Sequence, residues 1–505
     1  MKISNSPIIH PVLFSIFFIL FLYSYNVDEL IPKDLFIPLL LCISFSGIIM
    51  IISLKFSKNS NKISLYLTIL IILFFSYGHV YMALGSIETD ENNIIKHRYL
   101  IPIFGIVYAV CVLAIKFKIK TGNPILITNG IAATLVLLTL SNIGMSYADD
   151  IDSELLKLHN ENIIFKTELK PDIYYIILDE YGGKDSLLNY FNFDNHEFLE
   201  FLESEDFYVV ENSFSNYPFT NLSTGSSMNM KYVNYLEETL YDSSSAKPML
   251  EMFQENHVMS VFQENDYETI YIYGGVRDRI RIADHNVCEK FFTSDFVNLI
   301  LKTSGLTIIQ KNLVSHDWRE IRLCALDEIS DARENHNGPI FVFAHLRLPH
   351  DPFSFGPNGE KVSNESFELT LESDGTKEAY INQLQFTNKK IKEVIHEIKS
   401  QSKQPPIIIL QSDHGVRFGL DWEKLENSDE DLIRGYDNIN AFYFPDKRYE
   451  KLYDNLTPVN TFRVVFNEFF NTELEILPDK IYISPSEKQY QFKEITDIVN
   501  QIKID

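Results

Sequence analysis

Residues 172–179 read DIYYIILD, six apolar or aromatic residues enclosed by two aspartates. Four more runs of this kind follow it, namely ETIYIYGG at 268–275, PIFVFAHL at 339–346, PPIIILQS at 405–412 and NINAFYFP at 438–445. Runs without polar alternation are typical of strands buried on both faces. Helical patterns lie between them, at 196–207, 248–265 and 378–400. This order predicts an α/β domain with a mostly parallel central sheet covered by helices.

Acidic and imidazole side chains lie at the ends of three of these runs. Asp179 and Glu180 end the first, His345 lies near the end of the third, and Asp413 and His414 follow the fourth. Ligands of open α/β sheets bind at the carboxyl ends of the strands, so these groups are expected at one edge. For a single Asp or His, a turn residue that caps the next helix is the simpler interpretation. Three strand ends together favour a metal site.

The first 147 residues differ in composition and are rich in Ile, Leu, Phe and Val. Their long apolar runs lie at 8–25, 35–54, 63–84, 100–115 and 125–147. A helix of about 20 apolar residues can cross a bilayer because its backbone amides are paired within the segment. We predict an anchor of five transmembrane helices at 1–147, a juxtamembrane connector at 148–170 and an exported domain at 171–505. A cleaved signal peptide is the alternative for the first run, but a clear small-residue cleavage site is missing there.

Lysine clusters orient this anchor. They lie between the second and third runs and between the fourth and fifth, at Lys55, Lys58, Lys62, Lys116, Lys118 and Lys120. Because short cytoplasmic loops collect Lys and Arg, both clusters are expected inside, and five spans then put everything after Tyr147 outside. We predict a multi-pass protein of a bacterial cytoplasmic (inner) membrane with its large domain on the periplasmic or extracellular side. The formal net charge of -25 argues against a nucleic-acid partner.

Two cysteines, Cys288 and Cys324, lie in the predicted exported domain. A disulfide between them would persist outside the cytoplasm, and we predict one. The alternative is a pair of unrelated buried thiols, because the sequence does not give their separation in space.

Four motifs resemble, in order, those of the alkaline phosphatase and sulfatase superfamily. They are IILDEYGG at 176–183, YPFTNLSTGSSMNM at 217–230, HLRLPHDPF at 345–353 and QSDHG at 411–415. The closer likeness is to membrane-anchored sulfatase-like phosphotransferases of the lipoteichoic acid synthase and phosphoethanolamine transferase type. A single motif such as SDHG is weak, whereas the order and spacing of all four are specific.

The resemblance implies a role for each matching residue. Asp179, Asp413 and His414 correspond to metal ligands, and Thr220 corresponds to a nucleophile that also contacts the metal. A cation on its oxygen makes a hydroxyl a better nucleophile and polarises a phosphoryl group. Carboxylate and imidazole ligands suit zinc and manganese about equally, so the divalent metal ion is left open between the two. Ser223 is the alternative nucleophile.

The third motif holds two histidines. The resemblance places here a histidine that contacts substrate or protonates the leaving group; His350 is the better match for this catalytic role, and His345 is assigned to substrate contact. Glu180 is also placed near substrate, with a secondary metal ligand or a helix cap as alternatives. The C/S-x-P-S-R context that sulfate-ester hydrolases require is missing near residue 220, which disfavours ordinary sulfatase activity.

These observations predict a metal-dependent transferase that moves a phosphorus-containing head group from a membrane phospholipid donor to an envelope glycan or lipid acceptor. The reaction would pass through a covalent phosphothreonine. The alternative is a sulfatase-like hydrolase of phosphate or sulfate esters in the cell envelope. A non-catalytic membrane scaffold is a third interpretation, against which the joint presence of Thr220, Asp179, Asp413 and His414 stands.

Overall fold

The structure is a computed structural model. It describes residues 7–27, 30, 32–56, 59–85, 97–118, 123–148, 155–156, 160, 162–275, 280–288, 295–362, 375–417, 420 and 428–502. Lys58, Lys120 and part of the predicted connector, at 149–154, 157–159 and 161, lie outside these residues. The chain divides into two compact units, Met1–Ile151 with Phe291–Val314 and Asp152–Lys290 with Ser315–Asp505.

The α-helices are numbered here in chain order. They are α1 His10–Tyr25, α2 Pro32–Phe56, α3 Ser60–Gly85, α4 His97–Lys118, α5 Pro124–Ala148, α6 Lys184–Phe191, α7 His196–Ser204, α8 Thr220–Ser227, α9 Glu237–Leu240, α10 Lys247–Gln254, α11 His257–Glu264, α12 Asp295–Thr303, α13 Thr307–Asp331, α14 Thr376–Gln401, α15 Asp429–Tyr436, α16 Thr461–Phe469 and α17 Thr496–Ile502.

The first unit contains four helices that are long and apolar enough to cross a membrane, within the described part of the chain. They are Pro32–Phe56, Ser60–Leu84, His97–Phe117 and Pro124–Tyr147. Helix α1 is also apolar but has only 16 residues. Large apolar side chains such as Phe45 and Leu137 are more than half exposed on these helices, at 69% and 66%. Such surfaces suit contact with lipid chains.

Helix α12 belongs to this first unit, although its sequence lies far from the first 151 residues. Phe296 is fully buried, and its ring meets that of Tyr23 edge-on at a centroid distance of 5.6 Å. The backbone of α12 also lies against α3, since a Cβ on Gly78 would come within 2.3 Å of the Lys302 carbonyl oxygen. The amide of Gly305 donates a hydrogen bond to Phe74 O at 2.8 Å. Residues 295–305 therefore pack as part of the helical unit.

The second unit is built on a seven-stranded sheet. Its strands are β1 Ile173–Leu178, β2 Tyr208–Val209, β3 Glu268–Gly274, β4 His285–Val287, β5 Ile340–Leu346, β6 Ile407–Gln411 and β7 Asn440–Tyr443, in the order β2-β7-β6-β1-β5-β3-β4. Strands β6, β1, β5, β3 and β4 pair in parallel, whereas β7 pairs antiparallel with β6 and β2. Strands β8 Tyr482–Ile483 and β9 Lys493–Glu494 form a separate pair. The predicted fold class is confirmed.

Both faces of β1 are buried, as its unbroken apolar sequence predicts. Successive side chains of a strand point to opposite faces. Tyr174, Ile176 and Leu178 therefore pack into one hydrophobic cluster, and Ile173, Tyr175 and Ile177 pack into the other. The two clusters include side chains of the helices that cover the two faces of the sheet. Because a shift of one residue would exchange the faces, this packing specifies the register of β1 between β5 and β6.

A disulfide joins Cys288, directly after β4, to Cys324 in α13. The predicted bridge is confirmed.

Candidate active site

The central strands bring three predicted site residues together. Asp179 follows β1, His345 lies in β5, and Asp413 follows β6; these strands are neighbours in the order β6-β1-β5. One ligand atom from each of the three lies within 4.8 Å of those of the others, and all three side chains are buried. His345 Nε2 lies 3.9 Å from Asp413 Oδ2. The parallel register thus gathers two carboxylates and an imidazole at the carboxyl edge of the sheet.

His414 adds a second imidazole to this group. Its Nε2 lies 3.4 Å from Asp413 Oδ2 and 3.8 Å from Asp179 Oδ1. Its Nδ1 lies 2.8 Å from Gly415 O, a contact in which Nδ1 donates and the lone pair of Nε2 faces the carboxylates. Burial lowers the pKa of His414 to about 3, and the positive charge of Arg417 lowers it further. The ring is therefore neutral at pH 7 and able to bind a cation.

Thr220 is the first residue of α8, and its Oγ1 lies 3.2 Å from His414 Nε2. The alternative nucleophile, Ser223, is one turn further along the helix. Its hydroxyl donates a 2.6 Å hydrogen bond to Asp413 O, and only 2% of the residue is exposed. The Thr220 hydroxyl faces the carboxylate and imidazole groups, while that of Ser223 holds the backbone of the motif containing Asp413.

The charge of the cluster fits a divalent cation. Asp179 Oδ1 and Asp413 Oδ2 are buried oxygens that have no hydrogen-bond partner in the part of the chain that the structure describes. Asp413 Oδ1, in contrast, accepts from the amides of Glu180 and His414. Burial raises the pKa of Asp179 to about 7, and the negative charge of Asp413 adds to this rise. A cation between the two carboxylates would offset the electrostatic free energy that it costs to bury two negative charges close together. The donor set suits zinc or manganese.

Glu180 and His350 lie beside this cluster. Glu180 has a φ of 61°, in the left-handed region, which is strained for a residue with a side chain. Its Oε1 accepts a hydrogen bond from the amide of Arg417, and its Oε2 lies 3.6 Å from His350 Nε2. On the other side of the ring, His350 Nδ1 lies 2.5 Å from Asp351 Oδ1. His350 is thus held between two carboxylates.

The electrostatic surroundings of His350 favour its protonated form. Burial alone would lower its pKa, but the negative charges of Asp179 and Glu180 raise the pKa to about 9. The amide of His350 also donates to Asp179 O at 3.3 Å, which ties its loop to the end of β1. An imidazolium in this place can stabilise negative charge or release a proton.

Two residues that the sequence did not single out hold the loop of His350. Arg322 in α13 is fully buried and donates from Nη2 to His350 O at 3.3 Å. Gln383 in α14 donates from Nε2 to the same oxygen at 2.8 Å. Arg and Gln on helices are usually exposed, so neither position carries a signal in the sequence.

A family model described as Sulfatase matches residues 171–464. Among solved structures, the chain is similar to the C-terminal periplasmic domain of EcEptC from Escherichia coli in complex with Zn, with 10% identity, 66% of this chain and 94% of that chain covered, and a TM-score of 0.41. It is also similar to the integral membrane lipooligosaccharide phosphoethanolamine transferase A from Neisseria meningitidis, with 14% identity, 91% and 95% covered, and a TM-score of 0.39. A third similar structure is the C-terminal periplasmic domain of EptC from Campylobacter jejuni, with 14% identity, 62% and 95% covered, and a TM-score of 0.39. None of the curated proteins matches the sequence.

Proposed function

Because this chain belongs to the sulfatase family, we propose that it is a membrane-anchored, metal-dependent phosphotransferase with Thr220 as its nucleophile. One observation carries the proposal: Thr220 Oγ1 lies 3.2 Å from His414 Nε2, beside two buried carboxylates with unpartnered oxygens among the described residues. A hydroxyl placed against such a cluster can be activated for attack on phosphorus.

The proposed ligands of the divalent metal are Asp179, Asp413 and His414, with Thr220 as a further contact. We add His345 as a ligand in place of its expected role in substrate contact. His345 is fully buried, and its ligand atom lies within 4.8 Å of those of Asp179 and Asp413, so its imidazole can contact the same cation as the two carboxylates. Zinc and manganese both accept this donor set.

In the proposed reaction, the Thr220 hydroxyl releases its proton to water, and its Oγ1 attacks the phosphorus of the donor head group. The bond from Oγ1 to phosphorus forms while the bond from phosphorus to the lipid oxygen breaks. The leaving oxygen takes its proton from His350, whose raised pKa keeps it protonated at neutral pH. The backbone amides at the start of α8 would donate hydrogen bonds to the phosphate. A bound divalent cation would lower the pKa of the Thr220 hydroxyl and withdraw charge from the phosphoryl group.

We further propose that the donor is a membrane phospholipid and that the acceptor is a glycan or lipid of a bacterial envelope. The apolar helices would hold the site near the donor. A multi-pass arrangement in the cytoplasmic (inner) membrane, with the second unit on the periplasmic or extracellular side, agrees with the lysine asymmetry of the sequence. The disulfide supports an oxidising compartment for the second unit.

Labelling with a phospholipid that carries a radioactive head group tests the proposal. The full chain in detergent, without acceptor, should accumulate label on the peptide that contains Thr220. Thr220→Ala should abolish the adduct and lower turnover by at least about 1000-fold, since a covalent route needs the hydroxyl. Thr220→Ser keeps the hydroxyl and should retain part of the label.

Ser223→Ala is the matched control, because it removes a neighbouring hydroxyl of the same helix. It should keep the adduct, although it loses the hydrogen bond to Asp413 O. Full turnover in Thr220→Ala would refute the nucleophile. Steady release of free head group without any acceptor would identify a hydrolase instead of a transferase.

A further inference from the structure

A second group of possible metal ligands lies away from the active site. It consists of Glu268 at the start of β3, His285 at the start of β4 and His336 in the turn before β5. His285 Nε2 lies 2.7 Å from Glu268 Oε1, and His336 Nδ1 lies 2.9 Å from Glu268 Oε2. The three ligand atoms all lie within 4.8 Å of one another. We call these three residues the His-Glu-His cluster.

The cluster is separated from the active site by most of the length of β3. Glu268 is opposite Ile340 in the register of β3 with β5, whereas Tyr273 is opposite His345. Five residues of strand correspond to about 16 Å. The cluster therefore lies at the amino edge of the sheet, and a single ion cannot contact both groups of side chains.

Buried contacts fix the position of His336. Arg333 Nη1 donates to Asp172 Oδ1 at 2.8 Å, and both side chains are less than a tenth exposed. The same guanidinium donates to the carbonyl oxygens of Gly338 and His336. The turn that carries His336 is thus attached to the start of β1 by an ion pair inside the protein.

Contacts on the other side fix His285. Its strand pairs with β3, where His285 is opposite Ile270. Three residues later, Cys288 is joined to Cys324 in α13, the helix that leads to the turn of His336. Both imidazoles are therefore held by their backbones on either side of Glu268. Ligands placed in this way lose little conformational freedom when an ion binds.

We propose that the His-Glu-His cluster is a second cation site, which binds Zn²⁺ or a similar divalent transition metal. Two imidazoles and one carboxylate form a donor set that zinc accepts and that magnesium and calcium, which prefer oxygen ligands, do not. The His285 and Glu268 side chains are 43% and 36% exposed, so water can complete the coordination. The bound ion would connect β3, β4 and the turn before β5.

The competing arrangement is a proton-linked group in which each imidazole donates a hydrogen bond to Glu268. These hydrogen bonds outweigh the effect of burial and hold the pKa of Glu268 below its ordinary value. Metal binding requires the lone pair at the same nitrogen atoms, so the proton at each must move to the other ring nitrogen or be released. Zinc binding and hydrogen bonding at the cluster are therefore mutually exclusive, and direct measurement of the metal separates them.

The test compares the full chain in detergent with the variant His285→Gln/His336→Gln after chelator treatment and dialysis against zinc. The zinc content of the variant should be lower by one ion per chain. Zinc should also raise the melting temperature of the parent protein in a way that the variant lacks. Glu268→Gln, which keeps the size of the side chain, should weaken zinc binding at this site by at least 10-fold and serves if the double variant does not fold. Magnesium should give none of these effects.

His196→Gln is the matched control, because His196 Nε2 lies 3.0 Å from Glu200 Oε1 on an exposed helix surface. No third possible ligand joins this pair among the residues that the structure describes. It should leave the zinc content unchanged. The proposal is overturned if the parent and the cluster variant hold equal zinc and show the same dependence of melting temperature on zinc. It is also overturned if the control loses an ion, since zinc would then bind ordinary surface histidines. Transferase activity should persist in the cluster variant.

Discussion

The glycine that follows His414 is expected to be essential for reasons of space alone. A Cβ on Gly415 would come within 2.2 Å of Arg434 O and 2.7 Å of Asp437 O. Both oxygens belong to backbone at the end of α15, which cannot rotate away as a side chain would. Gly415 also donates its amide to Gly435 O at 3.0 Å. In Gly415→Ala, one of the two segments must therefore move by roughly 1 Å to restore an ordinary contact.

The displacement passes directly to the active site. Gly415 O accepts the hydrogen bond from His414 Nδ1 that orients the ring, so a shift of this oxygen moves Nε2 relative to Asp179 and Asp413. A misplacement of about 1 Å in catalytic geometry costs about 100-fold in rate. Overpacking of this kind lowers the free energy of unfolding by about 1 to 3 kcal/mol, which a folded enzyme can tolerate. We expect an intact fold with kcat/KM lower by about 100-fold and weaker metal binding.

The assay is head-group transfer from a labelled phospholipid, with circular dichroism to verify folding and metal analysis of the purified protein. Gly338→Ala is the control, because a Cβ at that position meets no atom within 4 Å. It should leave all three measurements near those of the parent protein. Gly415→Ala with parent kcat/KM and parent metal content would show that the close contact does not position His414.

Three further predictions concern the second unit and the anchor. Removing the disulfide with Cys288→Ala/Cys324→Ala should lower the free energy of unfolding by about 4 kcal/mol, from the 36-residue separation in the chain-entropy model; urea denaturation measures this, and an unchanged midpoint would contradict it. Burial would raise the pKa of Asp351, but His350 and Arg347 hold it well below its ordinary value. The contribution of ionised Asp351 to the free energy of unfolding is therefore complete above about pH 4 and is lost as the pH falls. Asp351→Asn should unfold more easily at pH 7, and its free energy of unfolding should change less with pH below about 4. A reporter fused after Tyr147 should be active only outside the cytoplasm, and a cytoplasmic signal would invalidate the predicted orientation.

The sequence predicted those strands that have an unbroken apolar pattern. Strands β1, β3, β5, β6 and β7 lie within the five apolar runs at 172–179, 268–275, 339–346, 405–412 and 438–445. Strands β2 and β4 have two and three residues and no periodicity, so they depend on pairing with β7 and β3. Hydrophobic periodicity needs a longer segment to be visible.

The same distinction applies to the site residues. Asp179 and Asp413 could be placed because each directly follows a long apolar run, and parallel strands end at one edge. The burial of His345 depends on its register with Ile177 and Tyr273, which no motif specifies. The three members of the His-Glu-His cluster come from separate parts of the chain, at residues 268, 285 and 336. Their proximity follows from the strand order of the sheet and could not be inferred from spacing.

The disulfide has a consequence for how the chain is arranged between its two compact units. The second unit is interrupted by residues 291–314, which belong to the helical unit. Cys288 and Cys324 lie on either side of this interruption, so their bond joins the parts of the second unit that precede and follow residues 291–314. The disulfide would keep β4 beside the part of α13 that contains Cys324, with or without residues 291–314. A water-soluble version of the second unit should therefore be obtained by replacing residues 291–314, which include the start of α13, with a short polar linker. Cutting the chain only at the end of α5 would leave the apolar face of α12 without the helices that cover it.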